Sequence, residues 1–439
     1  MKIRFVTLGC KLNFAESSAL GKVLLSRGHQ RALINEVPDV CVVNTCSVTD
    51  AADHKDRQAI NQLHRKYPNA IIIVTGCYAQ LQPEQISRID GVDYVLGQDE
   101  KYDIPQLVDE IEQLHNRLED GALPTGCSQS ELQFNGKKVR VGAIRDVNEF
   151  HGVRSGDDRT RCFIKVQDGC NYFCTYCTIP YARGKSRNPK IEEIVVSAQE
   201  ALNQGAKELI LTGVNIGDFG RSTGERFIDL LRSLDGLEEV GGEKYRVRIS
   251  SCEPNLLTDE IIDFVAQSRH FAPHFHIPLQ SGSNEVLKIM NRRYTRELFA
   301  DRVQHIKAVM PHAFIGVDCM VGVRGETQEY WEDYLEFVKG LDVSQLHVFT
   351  YSERANTRML DMDLYVVPKL ERQRRSRILH AVSADKTHAF YQQYAGRKAV
   401  VLWESKREGD RMAGFTDNYI KVYAPYRKEM INTFEEIVI

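Results

Sequence analysis

Strand-length apolar runs alternate with amphipathic stretches from the first residues onward. IRFVTL is followed by a helical pattern over about 15–26, VCVVNT by one over about 52–67, and AIIIVT by one near Pro83. Apolar runs separated by helix-period segments predict a parallel sheet covered by helices, a Rossmann or flavodoxin-like α/β domain over residues 1–120. The stretch DGALPTGCSQS is dense in turn formers and breaks the pattern, so residues 121–158 read as a linker. A second βα series starts near Arg161. FIKVQ, ELILT, YRVRIS, FHIPL, FIGVDCM and LHVFTY each precede a helical pattern. Residues 159–394 are therefore expected to form a partial TIM-like barrel, (β/α)6, with its chemistry at the C-terminal ends of the strands. A long basic helix over about 368–394 leads into AVVLWE, GFTDNYIKVYAP and EEIVI. That tail, 395–439, predicts a small β-barrel leaning on its neighbour.

Composition narrows the class. Apolar residues are 42% and charged residues 27% of the 439, which excludes disorder over most of the chain. No run approaches the roughly 18 apolar residues of a membrane span. The N-terminus, MKIRFVTLGCKLNF, enters a strand pattern without an apolar signal region, so a cytoplasmic location with no membrane partner is expected. Net charge is −3, yet Lys and Arg outnumber Asp and Glu by 12 to 5 over 137–190 and by 8 to 2 over 369–398. Two basic segments on an acidic body suit a polyanionic partner, although charge alone favours a merely solvated surface. Eleven cysteines in a chain without an export signal point to metal or redox chemistry rather than to disulfides.

The densest constellation is DGCNYFCTYCTIP, where Cys170, Cys174 and Cys177 are spaced CxxxCxxC directly after the strand FIKVQ, with Tyr176 before the last cysteine. Three thiolates on one loop hold three irons of a 4Fe–4S cluster and leave the fourth open. A structural zinc site closes with a fourth Cys or His, which is missing at short spacing here. S-adenosylmethionine chelates such an open iron, and one electron from the reduced cluster cleaves its sulfonium. Cys10, Cys46 and Cys77 stand in TLGCKLN, VNTCSVT and VTGCYAQ, each immediately after a predicted parallel strand, so their loops line one sheet edge. A single such cysteine reads as a small buried apolar residue; three equivalent placements favour a second cluster. Cys41, Cys127, Cys162, Cys252 and Cys319 share no placement and read as packing.

The cysteine loop resembles that of the radical S-adenosylmethionine (SAM) enzymes. The resemblance extends through LTGVNIG, RISSCEP and HIPLQSGS to the methylthiotransferase family and covers nearly the whole chain. It implies that Gly213, Asn215, Ser251, Glu253 and Gln280, with Tyr176, contact SAM; singly, each is open to reading as a turn glycine, a cap or a polar strand end. It also implies that Cys10, Cys46 and Cys77 carry a second 4Fe–4S cluster, and that the tail is a TRAM module binding RNA. There Tyr419, Phe415 and Tyr423 are candidates to stack on bases and Lys421, Arg427 and Lys428 to meet phosphates. Arg183, Lys185 and Arg187 in RGKSRNPK are candidates for the tRNA backbone or modified base, or else a solvated loop. TLGCKLN, VNTCSVTDAADHKDRQ and the cysteine loop look most like the bacterial MtaB type. That type implies conversion of N6-threonylcarbamoyladenosine (t6A, position 37 of tRNA) to its 2-methylthio derivative, with flavodoxin or ferredoxin as electron donor and a sulfur donor as further partner. Two other readings stand beside it: methylthiolation of a ribosomal-protein aspartate, and a non-catalytic iron–sulfur RNA-binding or sensor protein. One departure is GVRGET, where the family usually has GFPGET and Arg324 replaces a turn proline.

Overall fold

A computed structural model describes residues 1–119, 138–156 and 160–439. Residues 121–137, with Cys127, and residues 157 and 158 of the expected linker lie outside them. The chain forms two compact units, one of residues 1–149, 153–156 and 178–185, the other of 150–152, 157–177 and 186–439.

In the first unit, β1 (Lys2–Thr7), β2 (Gln30–Arg31), β3 (Val40–Thr45), β4 (Ile71–Gly76), β5 (Tyr94–Leu96) and β6 (Val139–Arg140) form a parallel sheet in the order β2-β1-β3-β4-β5-β6. Side chains alternate across a strand, so Cys41 and Val43 of β3 enter one core with Ile60 and Leu63, while Val40 and Val42 enter the other with Leu20 and Leu107. Helices on both faces explain why β3 and β4 read as unbroken apolar runs. The helix Asp50–Lys66 starts at Thr49, whose hydroxyl accepts the Ala52 N–H at 3.1 Å, and carries Asp50 and Asp53 in its first turn and His64, Arg65 and Lys66 in its last. Strand β6 falls in the segment expected as linker and pairs with β5, Val95 opposite Val139.

In the second unit, β7 (Arg161–Lys165), β8 (Glu208–Thr212) and β9 (Arg246–Ile249) form one parallel sheet, and β10 (His274–Gln280), β11 (Phe314–Val321) and β12 (Gln345–Thr350) another. Bridges Val247–Phe271 and Ser251–His276 join them into a six-stranded partial barrel whose helices pack over one extended core, from Ile164 and Leu211 to Trp331 and Leu379. The helix Lys369–Gln392 leads to β13 (Lys398–Glu408), β14 (Arg411–Thr416), β15 (Lys421–Pro425) and β16 (Phe434–Val438), an antiparallel half-barrel in the order β15-β14-β13-β16. It is anchored on the barrel: Arg246 donates to the carbonyls of Val400 and Phe415, and Arg248 to that of Asp417. Among the described residues no helix is long and apolar enough to cross a membrane.

Candidate functional site

Two sets of three cysteines sit at the C-terminal ends of parallel strands, one set in each unit. In the first unit β1, β3 and β4 are neighbours in register, Thr7 beside Asn44 and Thr45 beside Gly76. Cys10 caps the helix that follows β1, Cys46 follows β3 directly, and Cys77 opens the short helix after β4. Strands about 4.8 Å apart bring the three thiols to one edge. Gly9, at φ +97°, makes room for this: a Cβ there would lie 2.6 Å from Cys46 Cβ and 2.9 Å from its Sγ. Burial pushes the Cys46 thiol up to about 12, with Cys77 and Cys10 near enough to add to the rise, and burial likewise raises Cys77. Asp56 accepts the Cys46 N–H at 3.0 Å, and burial pushes its carboxyl up to about 7. Gln98 Nε2 donates to Cys77 Sγ at 3.3 Å.

In the second unit the CxxxCxxC loop follows β7. It turns through Gly169 at φ +71° and Phe173 at φ +50°, and Asn291 Nδ2 holds the Phe173 carbonyl at 3.3 Å. Thr175 is tied to the carbonyls of Ile289 and Met290. The Tyr172 N–H points at Cys170 Sγ at 3.5 Å, and burial pushes Cys170 up to about 12. Arg292, which the sequence pattern did not single out, is buried and donates to Cys174 Sγ at 3.2 Å and to the Tyr176 hydroxyl at 3.5 Å. It also pairs with Glu253. Glu253, expected at SAM, directs a carboxylate oxygen to this guanidinium.

The other predicted residues stand at the C-terminal ends of β8, β9 and β10, the strand ends that match the one from which the loop leaves β7. Gly213 follows β8, where a Cβ would lie 2.8 Å from the Gln167 carbonyl oxygen. Asn215 is buried, lies near the Tyr172 hydroxyl, and has no well-formed partner for either amide atom. Gln280 ends β10 at φ +64° with its buried Oε1 likewise unmet, as is Ser250 Oγ at the end of β9. Ser251 Oγ lies 3.4 Å from His276 Nδ1, and His276 Nε2 lies 2.7 Å from Asp318 Oδ1. Buried polar atoms without partners are costly. Such atoms at the C-terminal ends of β8, β9 and β10 fit a polar cofactor such as SAM. Among the described residues no three His, Cys, Asp or Glu side chains group as ligands of a single ion; a cube offers a different iron to each thiolate.

Several residues expected at RNA are engaged by other side chains of the fold. Arg183 is 2% exposed and pairs with Glu16 at 3.0 Å, and Arg187 is 8% exposed and pairs with Asp168 at 3.2 Å, so neither guanidinium is presented to a phosphate. Lys185 is exposed. The Tyr419 ring is half-buried, stacked on Phe415 at 4.9 Å and against Phe314 and His274, with the Arg248 guanidinium 4.9 Å from its centroid. Phe415 in turn lies beneath Arg161. Lys421 is half-buried, 3.3 Å from Glu408 Oε1 and over the Tyr423 ring. Arg427 is paired with Glu435, while Tyr423 and Lys428 are exposed.

Residues 164–338 match the radical SAM superfamily, which defines the class of the barrel and its cysteine loop, and residues 2–97 match the uncharacterized protein family UPF0004. The radical SAM methyltransferase TsrM of Kitasatospora setae, solved with cobalamin and a 4Fe–4S cluster, shares the fold at TM-score 0.52 and 15% identity over 80% of this chain and 74% of that one. Across its whole length the chain is 37% identical to the threonylcarbamoyladenosine tRNA methylthiotransferase MtaB of Bacillus subtilis, covering 93% of it. It is 34% identical to MtaB of Aquifex aeolicus over 98% of each chain. A tRNA-2-methylthio-N(6)-dimethylallyladenosine synthase of Desulfitobacterium hafniense matches at 29% over 100% of this chain and 94% of its own. The chain belongs to the MtaB family of radical SAM methylthiotransferases.

Proposed function

We propose that this protein converts t6A at position 37 of tRNA to 2-methylthio-t6A in the cytoplasm, with SAM and two 4Fe–4S clusters as cofactors. The observation that carries the reading is 37% identity to an enzyme of that name along the entire chain, through both cysteine-bearing units. On this reading Cys170, Cys174 and Cys177 hold the radical cluster, and Cys10, Cys46 and Cys77 the second. Asn215 and Gln280 offer their unmet amide atoms to SAM, with Gly213, Ser251 and Tyr176 shaping the same wall. Glu253 acts through Arg292, whose N–H to Cys174 fixes the loop. Bound there, SAM and the reduced cluster supply a one-electron route, which an aromatic C–H without acidic proton or leaving group requires. The protein's part is to orient the adenine, hold the sulfur-bearing group ready and keep water away. Electrons come from a flavodoxin or ferredoxin and sulfur from a separate donor. Exposed Lys185, Tyr423 and Lys428, with the rim charge of Lys421, are the candidates to meet RNA.

The test is mass spectrometry of tRNA nucleosides from a deletion strain. The 2-methylthio mark on t6A is expected to vanish and to return with the intact gene. It is not expected to return with Cys10→Ala/Cys46→Ala/Cys77→Ala or with Cys170→Ala/Cys174→Ala/Cys177→Ala. Retention of the mark in the deletion strain, with loss of a methylthio group from a ribosomal protein, overturns the assignment.

A further inference from the structure

Five buried side chains in the first unit form one polar chain from one candidate cluster cysteine to another. Gln98 Nε2 donates to Cys77 Sγ at 3.3 Å, and its Oε1 accepts from Lys101 Nζ at 2.6 Å. Lys101 Nζ pairs with Glu16 Oε2 at 2.7 Å. The same carboxylate accepts from Arg183 Nη1 at 3.0 Å and Nη2 at 3.2 Å. Arg183 Nη2 also donates to Asn13 Oδ1 at 2.6 Å, and Cys10 Sγ lies 3.7 Å from that oxygen, a bond that a free thiol donates and an iron-bound thiolate does not. Asn13 Nδ2 is fixed in turn by the carbonyls of Leu8 and Thr45. All five are at most 4% exposed.

A buried ion trio is an expensive way to gain stability, because desolvation offsets most of the attraction. Its placement suggests another use. A cluster gains an electron when reduced, so an N–H aimed at a ligand sulfur, backed by a buried cation, favours the reduced state, and a buried carboxylate opposes it. Arg183, which sequence reasoning offered to RNA, lies six positions after Cys177 and is spent on this chain instead. We infer that the Gln98–Lys101–Glu16–Arg183 chain, which reaches the cluster through Cys77, sets the reduction potential of the cluster held by Cys10, Cys46 and Cys77. Gln98, Lys101 and Arg183 raise it, and Glu16 lowers it. Arg183 is a positioning residue here, acting through Glu16, whose carboxylate it holds and offsets. The inference rests on the reading that those three cysteines hold a cluster.

The experiment uses the full chain with Cys170→Ala/Cys174→Ala/Cys177→Ala, so that only the first-unit cluster remains. It is reconstituted anaerobically with iron and sulfide, its iron is counted, and it is titrated redox-wise by electron paramagnetic resonance. Gln98→Leu and Arg183→Met are each expected to cut the reduced-to-oxidised ratio at fixed poise about tenfold, ~59 mV for a one-electron couple. Glu16→Gln is expected to shift the ratio the opposite way, and Arg183→Lys to stay near the parent. Opposed signs are what a purely structural role does not produce. Variants that all titrate with the parent, or all shift in one direction, overturn the inference. Failure of the parent to take up iron overturns the underlying cluster reading, a distinguishable result. Should the Arg183→Met chain not fold, Gln98→Leu decides, because it leaves the Lys101–Glu16–Arg183 trio in place.

Discussion

Replacing Arg375 by Met is expected to destabilise the barrel in a pH-dependent way. Arg375 lies on the helix Lys369–Gln392 and is 1% exposed. Its Nη1 pairs with Glu326 Oε1 at 2.6 Å, its Nε with Glu371 Oε1 at 2.8 Å, and its guanidinium lies 5.4 Å from the Trp331 ring centroid. Glu326, fully buried, also accepts the Gly322 N–H at 3.0 Å and so fixes the turn after β11, while its Oε2 has no hydrogen-bond partner. In that turn Arg324, where the family usually has proline, ties to Glu353 at 2.9 Å. Removing Arg375 strands a buried carboxylate, a loss of about 3–5 kcal/mol. Burial already lifts the Glu326 carboxyl from its ordinary 4.5 to about 7 against the pull of Arg375. A raised carboxyl binds more protons folded than unfolded, so its contribution is fully present below the unfolded pKa and is lost as pH rises through the folded one. The variant extends that window upward, because the neutral acid needs no cation. Its deficit should therefore be largest at pH 8 and shrink toward pH 6, with a limiting slope of about 1.4 kcal/mol per pH unit. Urea midpoints by circular dichroism at both pH values measure this, and Arg375→Met/Glu326→Gln should recover most of the loss. A single variant within about 0.5 kcal/mol of wild type at pH 8, or an equal deficit at both pH values, refutes the reasoning.

Two further outcomes follow from close contacts. Gly9→Ala places a Cβ 2.6 Å from that of Cys46 in a left-handed backbone, so the reconstituted protein should hold roughly half the parent's iron, one cluster of two, while still cleaving SAM. Full iron content would refute the crowding argument. Arg248→Met should cost about 3–5 kcal/mol and open the C-terminal half-barrel to trypsin, because Arg248 pairs with buried Glu208 at 3.0 Å and donates to the Asp417 carbonyl. Burial works to raise Glu208, but Arg248 with Arg161 and Arg246 holds it low. The pair's contribution is therefore present above the ordinary carboxylate pKa and lost as pH falls through the lowered one. Unchanged proteolysis at neutral pH would show that this pair does not anchor the half-barrel.

How far the sequence reveals the site depends on what fixes each residue. Strands β3 and β4 are legible because central parallel strands are apolar on both faces, whereas Gln30–Arg31 and Val139–Arg140 become strands only through the neighbours they pair with. The six cysteines are legible for the same reason: strand ends locate them, and parallel topology aligns the ends. The groups around them are not. Glu16 and Lys101 sit where local patterning expects solvated polar positions, and Arg183 sits in a basic run that invites an anionic partner, yet all three are buried together across 167 residues of chain. A buried charge is spelled with the same letter as a surface one; only the fold decides whether its counterion is water, RNA or another side chain. Tyr419 obeys the same logic. Its alternating pattern marks a small barrel but not which face meets the larger one, and His274, Phe314 and Arg248 pack on the ring that the sequence offers as a candidate for base stacking. Contacts to a bound partner and contacts to the rest of the chain draw on one physical repertoire, so the residues most often misread are those able to make either.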